Sequence, residues 1–171
     1  MIYCEKREHD GDMIMKTDDA KAFREALGSL LEDKRVGKMK NFTQHGSITT
    51  YDHCRKVARL SQKINRRLHL KADEEALLQG AMLHDYFLYD WHENHHDENG
   101  WHGFSHAETA LRNAREDFDI DPQVAHIIQS HMWPLNITRI PRTREAWIVC
   151  IADKWVSGRE TLFHRSKANH K

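Results

Sequence analysis

An all-α fold is predicted by three observations. Apolar residues recur at intervals of three and four along most of the chain. Residues that favour helix N-caps precede several of these stretches. Strand-like alternation of useful length is missing, apart from a weak case near the N-terminus. About six or seven helices are expected, in one domain spanning 18–158, with an N-terminal arm at 1–17 and a basic tail at 159–171.

The elements follow in order. Asp18 or Asp19 is the expected N-cap of a first helix, whose stripe is Phe23, Leu27, Leu30 and Leu31. Residues 35–48 are polar and contain glycine, and read as a connection with one turn of helix. Thr49 caps the next helix, with Asp52 three residues on in the capping-box position. That helix should bury Val57, Leu60, Ile64 and Leu68, and His53, four residues before Val57, shares the inward face. Asp73 caps a helix running through Ala76, Leu77, Gly80, Ala81 and Leu83 into His84-Asp85. Residues 90–103 are rich in His, Trp, Asp and Asn and read as a long loop. Ser105-His106-Ala107-Glu108 is a capping-box pattern, which places His106 in a first turn. Asp121-Pro122 opens a helix that ends around His131 to Pro134. A last helix is expected from about Thr143 to Ser157, with Gly158 as its stop and a frayed tail beyond.

Composition narrows the function. The 171 residues carry 26 Lys plus Arg and 26 Asp plus Glu, a formal charge of zero, which gives no support for a nucleic-acid or membrane-surface partner. No apolar run approaches the roughly 20 residues of a membrane-spanning helix. Cys4, Cys54 and Cys150 are odd in number and far apart, and read as free thiols in a reducing cytoplasm. The chain's 14 histidines include five between positions 84 and 102.

His84-Asp85 interrupts Gly80-Ala81-Met82-Leu83 and Tyr86-Phe87-Leu88, a run that otherwise reads as core. Asp153 stands in the equally apolar Trp147-Ile148-Val149-Cys150-Ile151-Ala152 helix. Buried ionisable groups are costly unless compensated, and a metal ion compensates both a carboxylate and an imidazole lone pair. With His53, these residues form a candidate ligand set drawn from three helices.

The order His53, His84-Asp85, Asp153 resembles the HD superfamily of metal-dependent phosphohydrolases over roughly residues 45–157. His106 and His131 are similar to two further histidines that hold a second metal in the binuclear members. The resemblance implies an HD-like helical bundle with Asp85 bridging two ions. His53, His84 and Asp153 would complete one shell, and His106 and His131 the other. Imidazole with carboxylate suits one or two divalent transition ions (Fe, Mn, Ni or Zn), two favoured. Two ions about 4 Å apart support metal-activated hydroxide attack on phosphorus, with His84 and Asp85 at the centre of catalysis. The substrate class implied is a small anionic phosphoester or phosphoanhydride, a nucleotide or dinucleotide. The chain lacks a Gly-Tyr-Pro triplet and carries Leu88 where the HD-GYP enzymes have Lys, so cyclic-dinucleotide cleavage is not expected. The alternatives are a single-metal 5′-nucleotidase using His53, His84, Asp85 and Asp153, and a nucleotide- or metal-sensing module without turnover.

Each ligand also has a structural reading. His84-Asp85 could be a buried hydrogen-bonded pair, Asp153 a salt bridge to Lys154, and His53 a surface residue. His106 could be a plain first-turn residue, and His131 a helix C-terminal residue favoured by the macrodipole. Further candidates to meet ligands or substrate are His102, Lys154 and Gln44, while His92, His95, His96 and His126 are expected to be solvated and His69 lies off the His53 face near a helix end. Trp91 and Trp101 could line the entrance and stack on a base, or equally form a satellite hydrophobic cluster. Arg139, Arg142 and Arg144 read as a solvated face.

Overall fold

The computed structural model describes residues 17–45, 48–89 and 102–168, within which seven α-helices carry the fold. These are α1 (Thr17–Glu32), α2 (Lys34–Gly37), α3 (Thr50–Arg67), α4 (Glu74–Leu83), α5 (His102–Asp117), α6 (Pro122–Ser130) and α7 (Arg144–Ala168). The all-α prediction holds.

Local chemistry explains most starts. Thr49 accepts a hydrogen bond from Asp52 N–H at 3.1 Å, and its hydroxyl donates to Asp52 Oδ2 at 2.8 Å. Asp73 accepts from Glu75 and Ala76 N–H. Asp121 accepts from Gln123 N–H, with Pro122 in the first turn. Each cap satisfies amides that a helix start leaves without partners.

Packing then sets the frame. α3 and α4 lie side by side, α7 packs on α3 and α4, and α6 packs on α4, α5 and α7. Leu77, Leu78, Ala81 and Met82 of α4 meet Val57 and Ala58 of α3 and Ile127 and Ile128 of α6 in one buried cluster. Gly80 permits the α4–α6 approach, because a Cβ there would lie 2.7 Å from Ile127 Cδ1. Polar ties fix the registers. Arg66 of α3 reaches Glu74 Oε1 at 2.6 Å and also pairs with Asp19 of α1. Glu145 of α7 accepts from Asp73 N–H at 2.8 Å, so the starts of α4 and α7 are joined.

Four expectations are corrected. The connection before α3 holds, besides α2 and a 3₁₀ turn (Lys38–Asn41), a small antiparallel pair, β1 (Thr43–His45) and β2 (Ile48–Thr49). Its strands are too short for an alternation to show. Leu68 is 64% exposed. It is the C-cap of α3, after which His69 takes a positive φ of 50° and the chain turns away. α5 starts at His102, so Ser105 lies within the first turn and His106 in the second. Finally, α7 continues through Gly158 to Ala168. A helix-interior glycine costs only about 1 kcal/mol, and beyond it Glu160 is buried with partners on α3.

Candidate metal centre

Three helix ends and two helix interiors converge on one spot. His53 projects from the first turns of α3, and His84 is the C-cap of α4 with Asp85 following it. His106 comes from α5, His131 is the C-cap of α6, and Asp153 lies in α7. All six are at most 8% exposed.

The segment after α4 is held firmly. Tyr86 is fully buried and its hydroxyl donates to Asp117 Oδ2 at 2.7 Å. Asn113 Nδ2 donates to the carbonyls of Tyr86 and Phe87, both at 3.1 Å. Leu88 then takes a positive φ of 56°. The chain therefore leaves α4 in a fixed direction, and Asp85 points inward.

Asp85 divides its two oxygens. Oδ2 lies 3.4 Å from His84 Nε2 and 3.9 Å from His53 Nε2. Oδ1 lies 3.5 Å from His106 Nε2 and 3.5 Å from His131 Nε2. On the Oδ2 side Asp153 Oδ1 adds contacts of 3.2 Å to His53 Nε2 and 3.7 Å to His84 Nε2. On the other side His106 and His131 stand 3.2 Å apart through their Nε2 atoms. Gln44 Nε2 donates to Asp85 Oδ2 at 2.8 Å, and its Oε1 accepts from Thr50 at 3.3 Å.

The imidazoles are aimed by their far sides. His84 Nδ1 lies 2.8 Å from Ala81 O, His131 Nδ1 lies 2.7 Å from Ile128 O, and His53 Nδ1 lies 2.9 Å from Glu160 Oε2. A carbonyl only accepts, so Nδ1–H donates and Nε2 faces the centre. This is the arrangement that orients metal-ligating histidines.

Charges here hold one another. Burial works against a charged His53, but hydrogen bonds to Asp153 and Glu160 outweigh it and raise its pKa from 6.5 to about 10. Burial opposes charge on His84 too, yet the Asp85 carboxylate keeps its pKa well above the ordinary value. Burial pushes Asp85 and Asp153 upward, but the imidazoles around them (His84 foremost for Asp85, His53 for Asp153) hold both below the carboxylate range.

The donor set fits a transition metal. His84 Nε2 and Asp85 Oδ1 are fully buried with no hydrogen-bond partner, an arrangement that costs free energy unless a cation completes it. Donor atoms of His53, His84 and Asp153 lie within 4.8 Å of one another, as do those of His84, Asp85 and His131. Either group could hold an ion through imidazole and carboxylate.

Residues 50–156 match the HD-domain family. The chain belongs to that family. HD domains form a superfamily of metal-dependent phosphohydrolases, and the buried His/Asp clusters of this HD domain are where it could hold metal. No curated protein and no solved structure is significantly similar to the chain.

A cavity of about 600 Å³ opens beside the cluster, lined by Gln44, Phe87, His106, Met132, Leu135, Lys154 and Ser157 among others. Lys154 Nζ donates to His131 O at 2.8 Å. The structure thus brings together all six expected ligands and sets Gln44 and Lys154 beside them. The His102 side chain, His92, His95, His96, Trp91 and Trp101 lie outside the described residues. His126, expected to be solvated, accepts from Arg142 N–H at 2.9 Å. Arg139 pairs with Glu108, and Arg144 donates to Leu70 O, so both serve the scaffold.

Two neighbours of the cluster escaped the sequence reading. Ser157 Oγ donates to Asp153 Oδ1 at 3.1 Å, and Glu160 holds His53. They follow Asp153 by four and seven residues, on one helical face. That spacing was the signal, and for Glu160 the expected stop at Gly158 hid it.

Proposed function

We propose that this HD domain hydrolyses a phosphoester or phosphoanhydride of a small anionic molecule, a nucleotide or dinucleotide, using two divalent transition ions. His53, His84, Asp85 and Asp153 would hold one, and Asp85, His106 and His131 the other. The division of Asp85 carries this reading, because each carboxylate oxygen faces a different set of imidazoles. When bound, the metal supplies Lewis acidity toward phosphate oxygen and activation of water for in-line attack.

The chain's own groups do the rest. Gln44 fixes the Asp85 carboxylate. Lys154, tethered to the His131 carbonyl, places a cation on the cavity wall where phosphate charge would sit. Phe87, Met132 and Leu135 offer apolar surface to the organic part of the substrate.

The test is metal analysis of the purified chain, before and after reconstitution with Fe or Mn, followed by a panel of nucleotides and dinucleotides. Bound metal and phosphate release are expected. Asp85→Ala should abolish both and keep the helical content. Activity should drop more than about 100-fold, the upper end of what losing a partner behind a ligand costs. A chain that binds no metal after reconstitution, or an active Asp85→Ala variant, overturns the reading.

A further inference from the structure

α7 carries an apolar face that its own fold leaves open. Trp147, Ile151, Trp155 and Leu162 are between 37% and 66% exposed. Their spacings of four, four and seven put all of them within about 80° of arc at 3.6 residues per turn. Gly158 lies inside the same arc. An interior glycine weakens a helix, and no neighbour in its own fold requires it. Among the described residues, a Cβ there would meet nothing within 4 Å. A bare position between large exposed side chains is a hole that a side chain from outside can fill.

The arc is complementary to itself. Place a second α7 antiparallel to the first, with a two-fold axis between Lys154 and Trp155. Trp147 of one copy then faces Leu162 of the other. Ile151 faces Gly158, a large side chain against the hole, and symmetry repeats each contact. Trp155 faces Lys154, whose Nζ is tethered to His131 O at 2.8 Å, so the ring meets a fixed cation. A parallel pairing would instead set one Gly158 against the other, hole on hole. The area is also sufficient. Leu135, 51% exposed, adjoins the arc, since it lines one cavity with Lys154 and Ser157. At about 200 Å² for a large side chain, the five exposed residues leave roughly 500 Å² of apolar surface in water. A standard interface takes about 800 Å² from each partner, about 65% of it apolar in homodimers, which is also roughly 500 Å². A formal charge of zero leaves no net repulsion between copies.

We infer that two copies of this chain pair through α7 in a two-fold, antiparallel helix contact, with Gly158 of each copy as the seat for Ile151 of the other. The seam runs beside the cavity wall formed by Lys154 and Ser157, so each copy borders the other's cavity.

Analytical ultracentrifugation of the purified full chain over a concentration series tests the pairing. Wild type should sediment at twice the mass of one chain, with a dissociation constant in the micromolar range or below, as interfaces of this size show. Gly158→Leu fills the hole and should weaken the dimer at least about 10-fold, the scale of an overpacking penalty. A Cβ there touches nothing within the single chain, so helical content should stand. Trp155→Glu should sediment as a monomer with the same helical content. Wild type that stays monomeric well above micromolar concentration overturns the inference and leaves the face to residues 1–16 or to a different protein. Dimers undiminished in both Gly158→Leu and Trp155→Glu use another surface and overturn it as well.

Discussion

His84 and His131 are held by the same local device. Each is the C-cap of its helix, and each sets Nδ1 against the carbonyl three residues earlier, Ala81 O at 2.8 Å and Ile128 O at 2.7 Å. Their rings meet edge to face with centroids 4.9 Å apart. A helix end leaves carbonyls without partners, and an imidazole there satisfies one while turning its other nitrogen outward. Two helix termini thereby become two ligand carriers whose Nε2 atoms converge on Asp85.

His131→Ala is expected to lower metal content from two equivalents to one and to leave the half-site of His53, His84 and Asp153 loaded. Its catalytic rate should fall at least about 10-fold, the lower end for disturbing a metal's surroundings. Metal analysis of the folded variant checks this. Two retained equivalents would show that His131 is a helix cap and no more.

Much of this centre is legible in the sequence, because the clue is energetic. A His-Asp pair between Met82-Leu83 and Tyr86-Phe87, and Asp153 directly after Val149-Cys150-Ile151-Ala152, are charges in apolar runs, and such charges need partners. The caps Thr49, Asp73 and Asp121 are equally local, so the starts of α3, α4 and α6 come through, whereas α5 begins three residues before its expected cap. The β1–β2 pair does not, since three- and two-residue strands leave no period to read. The end of α7 is misjudged for a different reason. Gly158 is a valid local stop, but the contacts of Glu160 with His53 and Lys56 span more than 100 residues of sequence. Such tertiary ties override a local preference of about 1 kcal/mol.

Gly80→Ala should destabilise the fold although alanine is the better helix former. The new Cβ would stand 2.7 Å from both Ile127 Cδ1 and Cγ2, and 2.9 Å from Ile127 Cβ. A β-branched side chain cannot swing all three atoms away. Overpacking of about 1–3 kcal/mol opposes a propensity gain of about 1 kcal/mol. Urea unfolding should show a lower midpoint with an unchanged slope. A variant as stable as wild type would mean that α4 and α6 part freely, and then the spacing of His84 and His131 is not set by this contact.

The pH dependence of stability should reverse on metal loading. In the metal-free chain His53 has a folded pKa of about 10 against an ordinary 6.5. Its contribution is full below 6.5 and is lost as pH rises through about 10. Asp85 and Asp153 are lowered from 3.8, so their contribution is present above that value and is lost as pH falls below it. The metal-free chain should therefore melt highest between about pH 4 and 6.5 and lower toward pH 10. To ligate, His53 must give up its Nε2 proton, because Nδ1 faces Glu160 and Nε2 faces Asp153. Protons then compete with metal, and the stabilisation conferred by metal should grow as pH rises from 6 to 8. Calorimetry of metal uptake at pH 7, in buffers of different ionisation enthalpy, should register net proton release. Uptake without proton release would mean that His53 and His84 are already neutral in the metal-free chain.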